Sequence, residues 1–345
     1  SNRNQRIYST IYWNNKVSIG YMDQNVNINK IYKKLLNENN LKYGINLNEK
    51  VKTKDYNITG RDKELNELIE ALCKKDKSNA ILIGEAGVGK TAIVEALAIK
   101  INNDEVPDYL KNKQIIELTM SSIVSGTRYR GEFEEKIEKI INEFESNNDL
   151  ILFIDEIHTL ISTSNNGSSL DFANMFKTGL GRGDIKVIGA TTTDEYERYI
   201  LRDKAFTRRF QKIEVEEPSI DETVEILLGT IPKIEKKTGT VMAYTPFVRE
   251  RIMRFIVELN KEYNRVYETA GRYPDVALAM LSQAFSEAVF DNKKTVTIEH
   301  VRKAIANSTA LYPDIIKKGL MDFDQQFGDL LKKEEDMRRD FYEWF

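Results

Sequence analysis

The chain has 345 residues, 41% of them hydrophobic and 30% charged, with a formal net charge of −3. That is an ordinary globular profile, long enough for two or three domains with a sizeable core. The balance gives no electrostatic ground for a nucleic-acid partner, and no apolar run approaches the ~18 residues of a membrane helix. Cys73 is the single cysteine, so no internal disulfide forms and a reducing compartment is expected. It reads as a small residue packed on a helix. With two histidines besides, ligands for a structural zinc are too few. No secretory leader is expected, which points to the cytoplasm, an organelle stroma or matrix being the other setting.

Residues 1–40 are polar and mixed, an expected extension or linker, with "INKIYKKLLNEN" (Ile28–Asn39) spaced as a short amphipathic helix. "RDKELNELIEALCKK" (Arg61–Lys75) predicts a helix, with Leu65, Leu68, Ile69 and Leu72 on one face. Five short apolar runs then alternate with helical stretches: "NAILI" (79–83), "QIIELTM" (114–120), "LILFIDE" (150–156), "IKVIGATT" (185–192) and "KIEVEE" (212–217). Continuous rather than alternating apolarity suits strands buried on both faces of a parallel sheet. The expected class is α/β, a three-layer domain over residues 41–217 with a five-stranded parallel sheet and right-handed crossovers. After Pro218 the strand pattern stops. Ser219 and Glu222 form a capping box at the start of "SIDETVEILLGTIPKIEKK". Further helices are expected near 246–263, 274–291 and 298–308, giving a smaller helical domain over 218–310. Residues 311–345 are charged and helical, an expected extension toward a further region.

The segment "GEAGVGKTA" comprises Gly84, Glu85, Ala86, Gly87, Val88, Gly89, Lys90, Thr91 and Ala92. It follows a predicted strand and opens a predicted helix, the context a phosphate-binding loop requires. Its glycines let backbone N–H groups turn inward around the β-phosphate, and the helix N-terminus adds its positive dipole end. Lys90 would contact the β- and γ-phosphates, and Thr91 would ligate Mg²⁺. "LILFIDEIHTL" brings two carboxylates to a strand's end, where α/β crevices form. Asp155 would hold Mg²⁺ and Glu156 would polarise the attacking water as general base. Paired acids after a strand are ordinarily solvated loop residues; the phosphate loop reverses that reading. His158 reads as structural. Thr192, at the end of another strand, offers a hydroxyl to orient the lytic water. Arg208 and Arg209 sit on a turn before the last strand. Such a pair is ordinarily solvent-facing, but in a ring ATPase an arginine there reaches the neighbour's γ-phosphate. The cofactors expected are ATP or ADP and Mg²⁺.

These stretches, with "KYGINLNEK", "ITGRDKELNELIEAL", "VPDYLKNKQIIEL", "GTRYRGEFEEKIEKII" and "IGATTTDEYERYI", resemble the first nucleotide-binding domain of Clp-type AAA+ protein unfoldases, the ClpA/ClpB/ClpC group. The resemblance runs in order from about Leu41 to Leu228, and more loosely to about Ala310. It implies a hexameric ring that pulls unfolded or aggregated polypeptide through a central pore, with an adaptor or protease as a further partner. Tyr129 falls on the aromatic position of the first pore loop, flanked by Arg128 and Arg130. An aromatic on a mobile loop grips any chain through apolar contact without reading sequence. The second pore loop corresponds to Ser162–Gly183. Ile58 would lie against adenine, with Leu227 and Pro274 closing that pocket. Thr192 takes the place of the first sensor, and Arg208 and Arg209 those of the trans-acting arginines.

The departures are specific. Ala86 stands where the family commonly has proline, and Thr178 follows Lys177 where proline is usual. Beyond the matching Pro274-Asp275 pair, Val276, Ala279 and Ser282-Gln283 replace the usual acidic residues and lysine. The alternative readings are a nucleic-acid-handling AAA+ ATPase (loader or helicase) and a weakly hydrolysing assembly module. The acidic balance and the aromatic loop stand against the first, Glu156 and the two arginines against the second.

Overall fold

The computed structural model describes residues 9–13, 16–20, 44–52, 60–75, 79–119, 130–159, 185–267 and 270–343. Strands β1 (Ser9–Trp13) and β2 (Lys16–Gly20) form an antiparallel pair within what the sequence presents as an extension. The expected helix at Ile28–Asn39 lies outside the described residues.

All five apolar runs are strands: β4 (Asn79–Ile83), β5 (Gln114–Leu118), β6 (Leu150–Ile154), β7 (Lys186–Thr191) and β8 (Phe210–Glu214). They pair in parallel in the order β5-β6-β7-β4-β8. The sheet has six strands rather than the five expected, because β3 (Gly44–Asn46) adds an antiparallel edge beside β5. Three residues carry too little pattern to announce a strand. What holds β3 is tertiary: the helix α1 (Leu47–Lys52) that follows it buries Asn48, whose Oδ1 accepts from Ile115 N at 2.8 Å and whose Nδ2 donates to Lys113 O at 3.1 Å.

Each of the five parallel strands divides its apolar side chains between two cores. Leu82, Ile151 and Phe153 face α1, α2 (Asp62–Cys73) and α3 (Lys90–Asn102), packing with Leu68, Leu72 and Leu97. Ile81, Ile83, Leu152 and Ile154 face the other side, where α4 (Arg130–Ser146) supplies Ile137, Ile140 and Phe144, and the segment before β8 supplies Tyr196, Ile200 and Phe206. Helices on both faces keep the strands apolar throughout. Cys73 falls outside the Leu65-Leu68-Leu72 stripe of α2 and is exposed, not packed.

A third core is helical. It joins α5 (Ile220–Thr238), α6 (Pro246–Leu259), α7 (Asp275–Phe290), α8 (Ile298–Ala306) and α9 (Pro313–Glu343) through Leu227, Ile256, Leu281, Val301 and Phe323. The capping box at Ser219 is present in both directions, with Ser219 N donating to Glu222 Oε2 at 2.8 Å and Glu222 N to Ser219 Oγ at 3.3 Å. Residues past 310 contribute Leu311, Phe323 and Phe327 to this core. Among the described residues no helix is long and apolar enough to cross a membrane.

Candidate nucleotide site

Parallel pairing brings the carboxyl ends of β4, β6 and β7 to one edge of the sheet, and the chemistry-bearing residues follow those ends. A cavity of about 560 Å³ opens there, between the phosphate loop and the helices α5 and α7. Its volume is that of an ordinary small-ligand site. Ala86 to Ala92 line it, with Asp155, Glu156, Thr192 and Pro274.

The loop's shape is set by its glycines. Gly87 (φ 83°) and Gly89 (φ 100°) adopt left-handed conformations that side chains disfavour. Gly84 is required for space, since a Cβ there would lie 2.2 Å from Val215 O. Lys90 Nζ donates to the loop's own carbonyls, Gly84 O at 2.7 Å and Glu85 O at 2.9 Å. Burial pushes the Lys90 ammonium below the usual lysine range, with Asp155 and other acids opposing.

Across the cavity floor Thr91 Oγ1 donates to Asp155 Oδ2 at 3.1 Å. Asp155 Oδ1 accepts from Glu156 N at 2.9 Å. Glu156 has φ 52°, a left-handed conformation that costs a non-glycine residue on the order of 1 kcal/mol or more. The hydroxyl and carboxylate are hard oxygen donors within one ion's reach, a set that fits Mg²⁺.

Strand β7 ends at Thr191, and Thr192 caps the next short helix. Thr192 Oγ1 donates to Glu195 Oε2 at 2.8 Å and accepts from Glu195 N at 3.3 Å, a capping box. His158 is buried, its Nδ1 3.0 Å from Thr191 Oγ1 and 3.1 Å from Glu195 Oε2. Thr191 also accepts from Gly84 N at 3.2 Å, so β7 ties the phosphate loop to the acidic turn.

Pro274 is on the cavity wall, but Leu227 is fully buried in the helical core and does not line it. Ile226, one position earlier, takes that place, followed along α5 by Thr230 and Lys233. A Cβ on Gly60 would lie 3.5 Å from Ile226, so Gly60 approaches α5; Ile58 lies outside the described residues. Sequence reasoning also missed Arg61, Glu95, Glu195 and Asp275 on the wall. Arg61 is buried and donates to Val88 O at 2.5 Å, bracing the loop. Of these, Glu195 carried a legible signal: Thr192-x-x-Glu195 is a capping-box spacing.

Arg208 and Arg209 do not line the cavity. They precede β8, whose first residue Phe210 pairs with Asn79, the first of β4. The phosphate loop leaves the other end of β4, about 13 Å away at 3.3 Å per residue. Arg130 opens α4, while Arg128, Tyr129 and Ser162–Gly183 lie outside the described residues.

This fold and site define a P-loop ATPase, and residues 80–214 match the family "ATPase family associated with various cellular activities (AAA)". The chain is 42% identical over 244 residues to the chaperone protein ClpB of Aquifex aeolicus, covering 70% of this chain and 23% of that protein. It is 48% identical over 178 residues to ClpC/MecB of Bacillus subtilis, a negative regulator of genetic competence, covering 52% and 22%. The solved S. cerevisiae Hsp104:casein complex in its extended conformation is similar at a TM-score of 0.66 and 36% identity, over 77% of this chain and 44% of that one. The chain therefore carries an AAA+ domain of the Clp type. It spans about a quarter of the length of these curated relatives.

Proposed function

We propose that this chain is the ATP-hydrolysing module of a protein unfoldase or disaggregase. The convergence of Lys90, Thr91, Asp155 and Glu156 on one cavity carries the reading. Lys90 would neutralise phosphate charge, and Glu156 would take the proton of an attacking water. Thr91 and Asp155 would hold Mg²⁺, which when bound spreads the charge of the β- and γ-phosphates. The helical unit closes the cavity from above through Ile226 and Pro274.

The remaining steps belong to an assembly. Arg208 and Arg209 stand at the far end of β4 from their own phosphate loop, so a homo-hexamer would use them at the neighbour's γ-phosphate. Tyr129, with Arg128 and Arg130, would grip unfolded or aggregated polypeptide in the ring's pore. An adaptor or partner protease would set the destination of the threaded chain, and the setting would be cytoplasmic. Support for a polypeptide substrate comes from the Clp-type domain and from the casein named in the Hsp104 complex.

The test pairs two variants in the full-length ring. Glu156→Gln retains ATP binding and lowers turnover by about 10²–10⁴-fold, because the water loses its base. Tyr129→Ala keeps basal ATPase and loses unfolding of a tagged substrate. Normal turnover by the first variant refutes the base assignment, and normal unfolding by the second refutes the grip.

A further inference from the structure

Three stretches of the chain meet at Glu217, in the segment that joins β8 to α5. Glu217 Oε1 lies 2.7 Å from Arg265 Nη2 and accepts from Tyr273 N at 2.7 Å. Its Oε2 lies 3.9 Å from Arg272 Nη1. Arg265 is 6% exposed, between α6 and α7. Its Nε donates to Asn260 O at 2.6 Å and its Nη1 to Gly271 O at 3.4 Å. Its guanidinium carbon stands 4.4 Å from the centre of the Tyr273 ring, whose hydroxyl donates to Val257 O. The next two residues are cavity wall. Pro274 and Asp275 line the site, and a Cβ on Gly87 of the phosphate loop would lie 2.8 Å from Asp275 Cβ.

A guanidinium is a rigid planar fork. Here its donors are divided among one carboxylate and two carbonyls, and its face is covered by an aromatic ring. One side-chain position therefore fixes the joining segment, the end of α6 and the start of α7 together. Arg265 is buried, so removing the Glu217 carboxylate leaves its charge without its nearest compensation.

We infer that Arg265 is a positioning residue for bound nucleotide: through Glu217 and Tyr273 it holds Pro274 and Asp275 against the phosphate loop, and so governs how long a nucleoside diphosphate stays. The inference rests on the nucleotide reading of the cavity. Dissociation of a fluorescent ADP from the full chain, followed by stopped flow, tests it. Arg265→Met keeps length and apolar bulk without the fork. It is expected to speed dissociation about tenfold or more, with association within about twofold of the unsubstituted chain. Glu217→Gln is expected to speed it too, and the double variant to match Arg265→Met alone, as two parts of one contact must. Arg265→Lys, which keeps charge without the fork, falls between. Should Arg265→Met fail to fold, Glu217→Gln and Arg265→Lys decide by the same criterion. Folded variants that release ADP within twofold of the unsubstituted rate, or strictly additive effects, overturn the inference. If the unsubstituted chain binds no ADP, the nucleotide reading itself falls, and this one with it.

Discussion

The hydroxyl of Thr91 donates to Asp155 Oδ2 at 3.1 Å, although 64 positions separate them. The contact joins the first turn of α3 to the end of β6, and it sets the two oxygens proposed as Mg²⁺ ligands side by side. Asp155→Asn should therefore remove most of the gain in ATP affinity that Mg²⁺ confers, about tenfold or more. Titrations with Mg²⁺ and with a chelator check this. An undiminished Mg²⁺ effect in the variant would mean that the ion sits elsewhere.

Glu195 Oε2 accepts from Thr192 Oγ1 at 2.8 Å and lies 3.1 Å from His158 Nδ1. Removing its carboxylate leaves the Thr192 hydroxyl to reorient and takes away the reciprocal half of the capping box, while the bond from the residue 195 N–H to Thr192 Oγ1 stays. Glu195→Ala is expected to slow hydrolysis about tenfold while ATP affinity changes by less than about threefold, since misplacement near the reacting atoms acts on rate. Glu195→Gln keeps an acceptor and should retain most of the rate. Parallel losses of affinity and rate in both variants would contradict this.

Gly84 leaves β4 with its N–H bonded to Thr191 O at 3.2 Å, while Val215 N donates to Ile83 O at 2.7 Å. Both backbones are thus locked where a Cβ would lie 2.2 Å from Val215 O. Gly84→Ala should destabilise the chain by about 1–3 kcal/mol. Thermal unfolding without nucleotide reads the loss, and an unchanged midpoint would show that the strand ends yield.

Arg302 donates to both Asp324 oxygens, at 2.7 and 2.8 Å, joining α8 to α9. Those hydrogen bonds hold the Asp324 carboxyl below its usual range, against a smaller opposing effect of burial. A depressed folded pKa contributes stability that is present above the unfolded value of about 3.9 and lost as pH falls through the folded one. Both side chains are 42% exposed, so the contribution is at most about 1 kcal/mol. Asp324→Asn should lower stability at neutral pH by that amount, with the difference vanishing in acid below the depressed value. Urea midpoints at several pH values would show it, and a difference that grew in acid would reverse the argument.

Five strands of the six-stranded sheet were legible because each is a continuous apolar run, and burial on both faces leaves that mark. Strand β3 was not, since Ile45 is exposed and the strand exists through Asn48 and its pairing with β5. The phosphate loop and Asp155-Glu156 announce themselves by local spacing. The helical unit's part depends on helix phase: Leu227 and Ile226 are adjacent and equally apolar, and only the packed core decides which one faces the cavity. The meeting of Glu217, Arg265 and Tyr273 has no local pattern at all, because it is assembled from segments up to 56 positions apart.

Helix α9 begins at Pro313, seats Phe323 and Phe327 in the helical core, and continues to Glu343. Sixteen residues past Phe327 amount to about 24 Å of rod at 1.5 Å per residue. With its root wedged by two phenyl rings and tied by Arg302, that rod must swing with the helices it is rooted in. A tilt of about 10° at the root sweeps the tip through about 4 Å, so a small rocking motion over the cavity leaves the far end as a lever stroke.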